Sequence, residues 1–385
     1  MKTAFAEEKA TCIKLAEFIK TAPRLSMGDY CKKFENGFAS YQQRKYCILF
    51  NSGGSANFAL LQSLKNLDKI KEGDNIGFSS LTWSTNVMPL IQQGFNPVPI
   101  DCKIETLNVM SDTLEIAIQK YKLKAFFATN VLGFAGDLDK IKEVCERHNV
   151  LFIEDNCEAL GSELNEIKTG NFSLASTSSF FVAHHMSTIE GGTVCTDDEE
   201  LATMLTMVRA NGWDRNLSPS IQTALRDKYH VGSELQSKYT FYDLAFNFRP
   251  TEITGFLGVE QLKFIEKAFT SRCNNYKRVG SAIKKNIDLH SVTTSHLSFI
   301  SNFSIPIVAK TLELREKYIE RFKDKVEIRP LIAGDITKQP FWKKYIKEEY
   351  ALPGTDFLHT HSFYFGNYPE LTEEDLTIIE ELLHG

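Results

Sequence analysis

An apolar, strand-like run, Tyr46–Phe50 (YCILF), passes through the turn Asn51-Ser52-Gly53-Gly54-Ser55 into an apolar-periodic helical stretch that ends near Leu64. Units of this kind recur to about residue 250, as in the helix-like "DLDKIKEVCERHN" (137–149) followed by the strand-like "VLFIED" (150–155). Such alternation predicts an α/β unit built on a mainly parallel sheet, with ligands gathering at the strand ends. After "FNFRPTEITGFLGVEQLKFIEKAF" the pattern changes to a long helix and then shorter strands and helices. A chain of 385 residues exceeds one ordinary core. The expectation is a large domain over 1–250 and a linking helix with a smaller α+β domain over 251–385.

Several classes of function are set aside by the composition of the chain. Its formal net charge is -5, with 24% charged residues and no basic block, which argues against a nucleic-acid partner. The opening "MKTAFAEEKATCIKLAEF" contains acidic residues and reads as a helix rather than a targeting segment. No apolar run reaches the roughly 18 residues of a membrane span, so the expected compartment is the cytoplasm. Eight cysteines, at 12, 31, 47, 102, 145, 157, 195 and 273, stand at least twelve positions apart. That spacing offers no CxxC clip, and no metal site is expected.

Individual positions begin to suggest chemistry. Gly53, Gly54 and Ser55 stand where free N–H groups and the positive end of a helix favour a phosphate, although alone such a turn is more often only a turn. Asp155 closes a strand and reads either as a loop acid or as a partner for a protonated ring nitrogen. Trp83, in "SSLTWSTNV", reads as core or as a stacking surface.

The strings "FIEDNCEALGS" (152–162), Ser179-Phe180-Phe181 and "TIEGGTV" (188–194), with "TWSTNV", carry a resemblance. Together they resemble the DegT/DnrJ/EryC1/StrS-type nucleotide-sugar aminotransferases, pyridoxal-phosphate (PLP) enzymes of fold type I with an aspartate-aminotransferase-like architecture. In that family a lysine five residues after the strand-end serine bonds the cofactor. Here that position is His184, and no lysine occurs between Lys168 and Lys228. The substitution is similar to a branch of nucleotide-sugar 3-dehydratases that hold the cofactor without a covalent bond and work from pyridoxamine phosphate (PMP).

The resemblance implies a role for each of these residues. Gly54, Ser55 and Ser179 would hold the cofactor phosphate, Trp83 would stack on the ring, Asp155 would keep the pyridine nitrogen protonated, and Glu158 would lie near the cofactor. Asn247 would reach the phosphate bound by a neighbouring subunit, making a homodimer with shared sites. His184, unable to bond the aldehyde, could still move protons, removing one from the cofactor methylene and supplying one to the leaving group. The implied reaction removes the 3-hydroxyl of a nucleotide-linked 4-keto-6-deoxyhexose. It gives a 3,6-dideoxy-4-keto sugar and ammonia, with L-glutamate regenerating PMP, in deoxysugar biosynthesis. Some related 3-dehydratases carry a two-iron cluster on clustered cysteines after "EGG". The matching stretch "RANGWDRNLSPSIQTALRDKYHVGSE" has none, so neither an iron-sulfur cluster nor a reductase partner is expected.

Arg329 reads as a diphosphate or sugar contact or as a surface ion pair, and His185 as structural or at the substrate's edge. His359 and His361 alternate in the manner of one strand face, and Phe363, Tyr364 and Phe365 read as core. Two competing functions remain at this level: an aminotransferase using a distant lysine, and a non-catalytic binding homologue.

Overall fold

The computed structural model describes residues 3–384. Its organising element is a seven-stranded sheet formed by β1 (Tyr46–Phe50), β2 (Asn75–Ser79), β3 (Asn96–Ile100), β4 (Ala125–Thr129), β5 (Leu151–Asp155), β8 (Ala175–Ser179) and β9 (Gly192–Thr196). The short hairpin of β6 (Glu163–Leu164) and β7 (Ile167–Lys168) lies between β5 and β8 in sequence. The order across the sheet is β1-β9-β8-β5-β4-β2-β3. From β8 to β3 every pairing is parallel, while β9 runs antiparallel to both β8 and β1. β4, β8 and β9 are buried along their whole length, as strands covered by helices on both faces must be.

The first four helices in chain order are α1 (Glu8–Thr21), α2 (Asp29–Gln42), α3 (Gly53–Asn66) and α4 (Ser84–Gln92). The side chain of Ser52 caps α3 by accepting the Ser55 N–H at 3.0 Å. Ala56, Ala59, Leu60, Leu61 and Leu64 then turn one apolar stripe onto Ile48 and Phe50 of β1. α2 lacks a side-chain cap of its own. Glu252 supplies one from the helix Glu252–Gln261, accepting N–H groups of Gly28 at 2.8 Å and of Tyr30 and Cys31 at 3.0 Å. The same helix lies on α1, where Phe256 stacks on Phe18 with centroids 4.5 Å apart. Past residue 250 the chain thus crosses back over its N-terminal helices before entering the long helix Ile265–Lys285.

The C-terminal part contains β10 (Leu289–His290), β11 (Leu297–Phe299), β12 (Ser304–Ala309), β13 (Ile328–Pro330) and β14 (Ser362–Gly366). Four of these make an antiparallel sheet, β10-β12-β14-β13, while β11 joins the β6–β7 hairpin. Phe126 and Phe152 of the large sheet share one apolar cluster with Ile305, Ile307, Phe363 and Phe365, so the two units pack through a common core. The expected α/β architecture with a smaller α+β part is present. One local reading is corrected: His359 and His361 lie in the last turn of the helix Pro353–His361, not on a strand. Among the described residues no helix is long and apolar enough to cross a membrane.

Candidate active site

Helix α3 begins, α4 begins, and β5 and β8 end around one cavity of about 410 Å³. Parallel strands deliver all of these loops to the same edge of the sheet, where binding sites collect. Gly53, Gly54, Trp83, Asp155, Glu158, Ser179 and His184 line the cavity from the large unit. Phe303, Arg329, Ile332 and Tyr364 close it from the smaller one.

The floor is made by close backbone approach. A Cβ on Gly53 would come within 2.6 Å of the Ser179 Cβ, and one on Gly192 within 2.4 Å of the backbone of Ser52 and Gly53. Only hydrogen at both positions lets the start of α3 press against the ends of β8 and β9. The first N–H groups of α3 have no partner inside the helix and carry its positive end. Such a helix start suits a phosphate, with Ser179 beside it.

Asp155 is 3% exposed. Its Oδ2 accepts amide N–H bonds from Asn57 at 2.8 Å and Asn86 at 2.7 Å, and its Oδ1 accepts the Cys157 N–H at 2.9 Å. These donors are neutral, and among the described residues Asp155 has no ion pair. A buried carboxylate held in this way on a cavity wall is matched by a cation, such as a protonated ring nitrogen. Trp83 is 54% exposed and lines the cavity, its indole making no ring or cation contact among the described residues. Phosphate cradle, carboxylate and stacking face together fit a phosphorylated pyridine such as PLP or PMP.

His184 sits in the loop between β8 and β9, its ring edge-on to Phe303 with centroids 5.6 Å apart. Burial pushes its imidazole down from 6.5 to about 4; the charge of Asp155 and the Ser179 carbonyl work against that, and the charge of Arg272 adds to it. It is therefore a neutral base at pH 7. Glu158 moves the other way. Burial raises its carboxyl from 4.5 to about 8, against the stabilising Leu132 N–H at 2.9 Å and with help from the charge of Asp155. No lysine lines the cavity among the described residues.

Three residues singled out in the sequence lie elsewhere. Ser55 faces the capping Ser52, with the two hydroxyls 3.0 Å apart. His185 points away from the cavity: its Nε2–H donates to the Ser301 carbonyl at 2.6 Å, and its ring packs edge-on against Phe269 and Phe303. Asn247 is outside the cavity, beside Trp213, and accepts a bond from Arg249 at 2.9 Å. Arg329 is both a cavity residue and a member of an ion pair, its guanidinium held by Glu327 at 2.6 Å.

Tyr364 corrects the core reading of its triplet. Strand alternation buries Phe363 and Phe365 and turns Tyr364 to the cavity, directly across from Arg329 in the register. Asn57 and Asn86 were not singled out either. The available signal was an amide within an apolar helical face, in "SANFALL" and "STNVMPL".

Known proteins share this architecture. GDP-4-keto-6-deoxy-D-mannose 3-dehydratase of Yersinia pseudotuberculosis is 34% identical over 363 residues, 91% of this chain and 89% of that protein. The enzyme of the same name from Escherichia coli O55:H7 is 28% identical over 96% of both chains. A solved GDP-4-keto-6-deoxymannose-3-dehydratase with a trapped PLP-glutamate geminal diamine superposes with a TM-score of 0.89 at 27% identity, covering 97% of each chain. Residues 7–383, which include the whole cavity, match one family pattern throughout, and the chain belongs to the DegT/DnrJ/EryC1/StrS aminotransferase family.

Proposed function

We propose that this protein is a PMP-dependent 3-dehydratase of a nucleotide-linked 4-keto-6-deoxyhexose, with GDP-4-keto-6-deoxy-D-mannose the first candidate substrate. The observation that carries the reading is one cavity lined together by Gly53, Gly54, the buried Asp155 carboxylate, Ser179 and His184, with no lysine lining it among the described residues. Bound PMP supplies the amine that meets the sugar's 4-keto group and an electron-poor ring that draws charge from the adjacent carbon. Asp155 would hold the ring nitrogen protonated, and Trp83 would cover one ring face. His184, half-buried and held neutral by desolvation, would take the proton from the cofactor methylene carbon. An imidazole at position 184 could not bond the cofactor aldehyde covalently, and the reaction would yield ammonia with the 3,6-dideoxy-4-keto sugar. Arg329 and Tyr364 face the sugar and diphosphate from the small unit.

L-Glutamate is the amino donor in this reading, and the working unit is a homodimer. Asn247 lies outside its own cavity beside Trp213, on which the exposed Phe241 stacks, with the exposed Tyr239 against the adjoining Arg215, the kind of apolar patch a partner covers. From there it serves the partner's cofactor phosphate.

The test is incubation with glutamate and GDP-, CDP- and dTDP-linked 4-keto-6-deoxyhexoses, with ammonia and sugar products followed by mass spectrometry. One ammonia per 3-deoxy sugar is expected. A 4-amino sugar as product, or a phosphopyridoxyl-lysine peptide after borohydride treatment, would show an aminotransferase instead.

A further inference from the structure

We propose that Glu158 is the acid that protonates the departing 3-hydroxyl, leaving His184 to act as base alone; this role rests on the dehydratase reading of the cavity. Glu158 and His184 line the same cavity from different loops, the first three residues beyond Asp155 and the second beyond β8. The Glu158 carboxyl is positioned from behind. Its Oε2 accepts the Leu132 N–H, and Leu132 (φ 55°) and Gly133 (φ 96°) form a left-handed turn wedged against Asn302, whose Cα would lie 2.3 Å from a Cβ on Gly133. One oxygen is thereby fixed as an acceptor and the other is left to carry a proton.

The groups sharing the cavity with Glu158 are Asp155, Cys157, His184, Glu190, Arg329 and Tyr364. Arg329, the one permanent cation among them, is occupied by Glu327, so no guanidinium holds Glu158 ionised. Burial in this setting keeps Glu158 a neutral carboxylic acid and His184 a neutral imidazole. Two groups displaced in opposite directions divide acid and base work between them.

The step balances. The C–H bond at the cofactor methylene breaks with its proton on His184, and its electron pair is drawn toward the carbon that loses oxygen. The C3–O bond breaks with its pair on oxygen, which takes the Glu158 proton and departs as water. One imidazolium and one carboxylate remain, and passage of one proton from His184 to Glu158 restores both.

Glu158→Gln tests this with two readouts. The first needs no turnover. A carboxyl whose folded pKa of about 8 exceeds its unfolded value of 4.5 contributes stability that is full below 4.5 and lost as pH rises to 8. Glutamine does not ionise. In cofactor-free protein, the Tm of Glu158→Gln relative to wild type is therefore expected to rise by roughly 3 °C or more between pH 5 and pH 9. A constant difference overturns the neutral acid.

The second readout is single-turnover chemistry. Loss of water from the natural substrate is expected to fall by about 10²–10³-fold, while bleaching of the bound aldehyde by glutamate falls less than tenfold. A 3-deoxy-3-fluoro substrate, whose fluoride leaves without a proton, is expected to react within about tenfold of the wild-type rate. Equal loss on both substrates overturns the acid and leaves the dehydratase intact. Wild-type protein that bleaches with glutamate but dehydrates no 4-keto sugar overturns the function beneath it.

Discussion

In the proposed reaction, histidine at position 184 separates two tasks that a lysine in the same loop would combine, holding the cofactor and moving its protons. Replacing His184 with asparagine removes the base but not the cradle, the Asp155 carboxylate or the Trp83 face. Cofactor affinity, measured by absorbance titration, is expected to stay within about tenfold of wild type, while dehydration falls by about 10³-fold or more. Undiminished turnover would remove His184 from the mechanism. Asp155, Ser179 and His184 were legible in the sequence because they sit in short contiguous strings that carry the family resemblance. Asn57 and Asn86 were not, since their role depends on two helix starts meeting over Asp155 in space. Tyr364 was hidden by its neighbours. Flanked by two phenylalanines that do belong to the core, it reads as a third until strand alternation is imposed.

Helix α2 depends on a carboxylate from far along the chain. Burial opposes the charge on Glu252, but the Tyr30, Cys31 and Gly28 N–H groups outweigh it and hold the group below its ordinary 4.5. A lowered carboxyl contributes stability above 4.5 that disappears as pH falls through the folded value. Glu252→Ala is expected to cost about 2 kcal/mol in urea denaturation at pH 7, with the deficit shrinking toward pH 3. A pH-independent deficit would assign the loss to packing. The strand-like YCILF, the helix after Ser52 and the strand ending at Asp155 were readable because period and punctuation agree there. His359 and His361 misled because an i, i+2 repeat of two polar residues is a weak pattern. Pro353, preset for a first helical turn, was the better signal and starts the helix that contains them.

As a whole molecule the chain divides its residues between its own cavity and a surface facing outward. If Asn247 serves the partner, subunits carrying His184→Asn and subunits carrying Asn247→Asp should each be inactive alone. Mixed after reversible dissociation, they rebuild one intact site per mixed dimer, and about a quarter of wild-type activity is expected from random reassortment. No recovery, with mixed dimers confirmed by mass spectrometry, would place Asn247 outside the site. Both layers of the α/β architecture were legible in the alternation of elements. The surface that carries Asn247 was not, because a patch is assembled from side chains the folded backbone gathers.

β1 stands at the edge of the large sheet, and its one neighbour there is β9. On a ribosome adding about 5–20 residues per second, β9 emerges about 140 residues later, roughly 7 to 30 seconds after β1. Through that interval an apolar five-residue strand has no place in the sheet, and the Ser52–Gly54 turn has no Gly192 to press against. The segment proposed to hold the phosphate thus gains its shape only after β9 has been made.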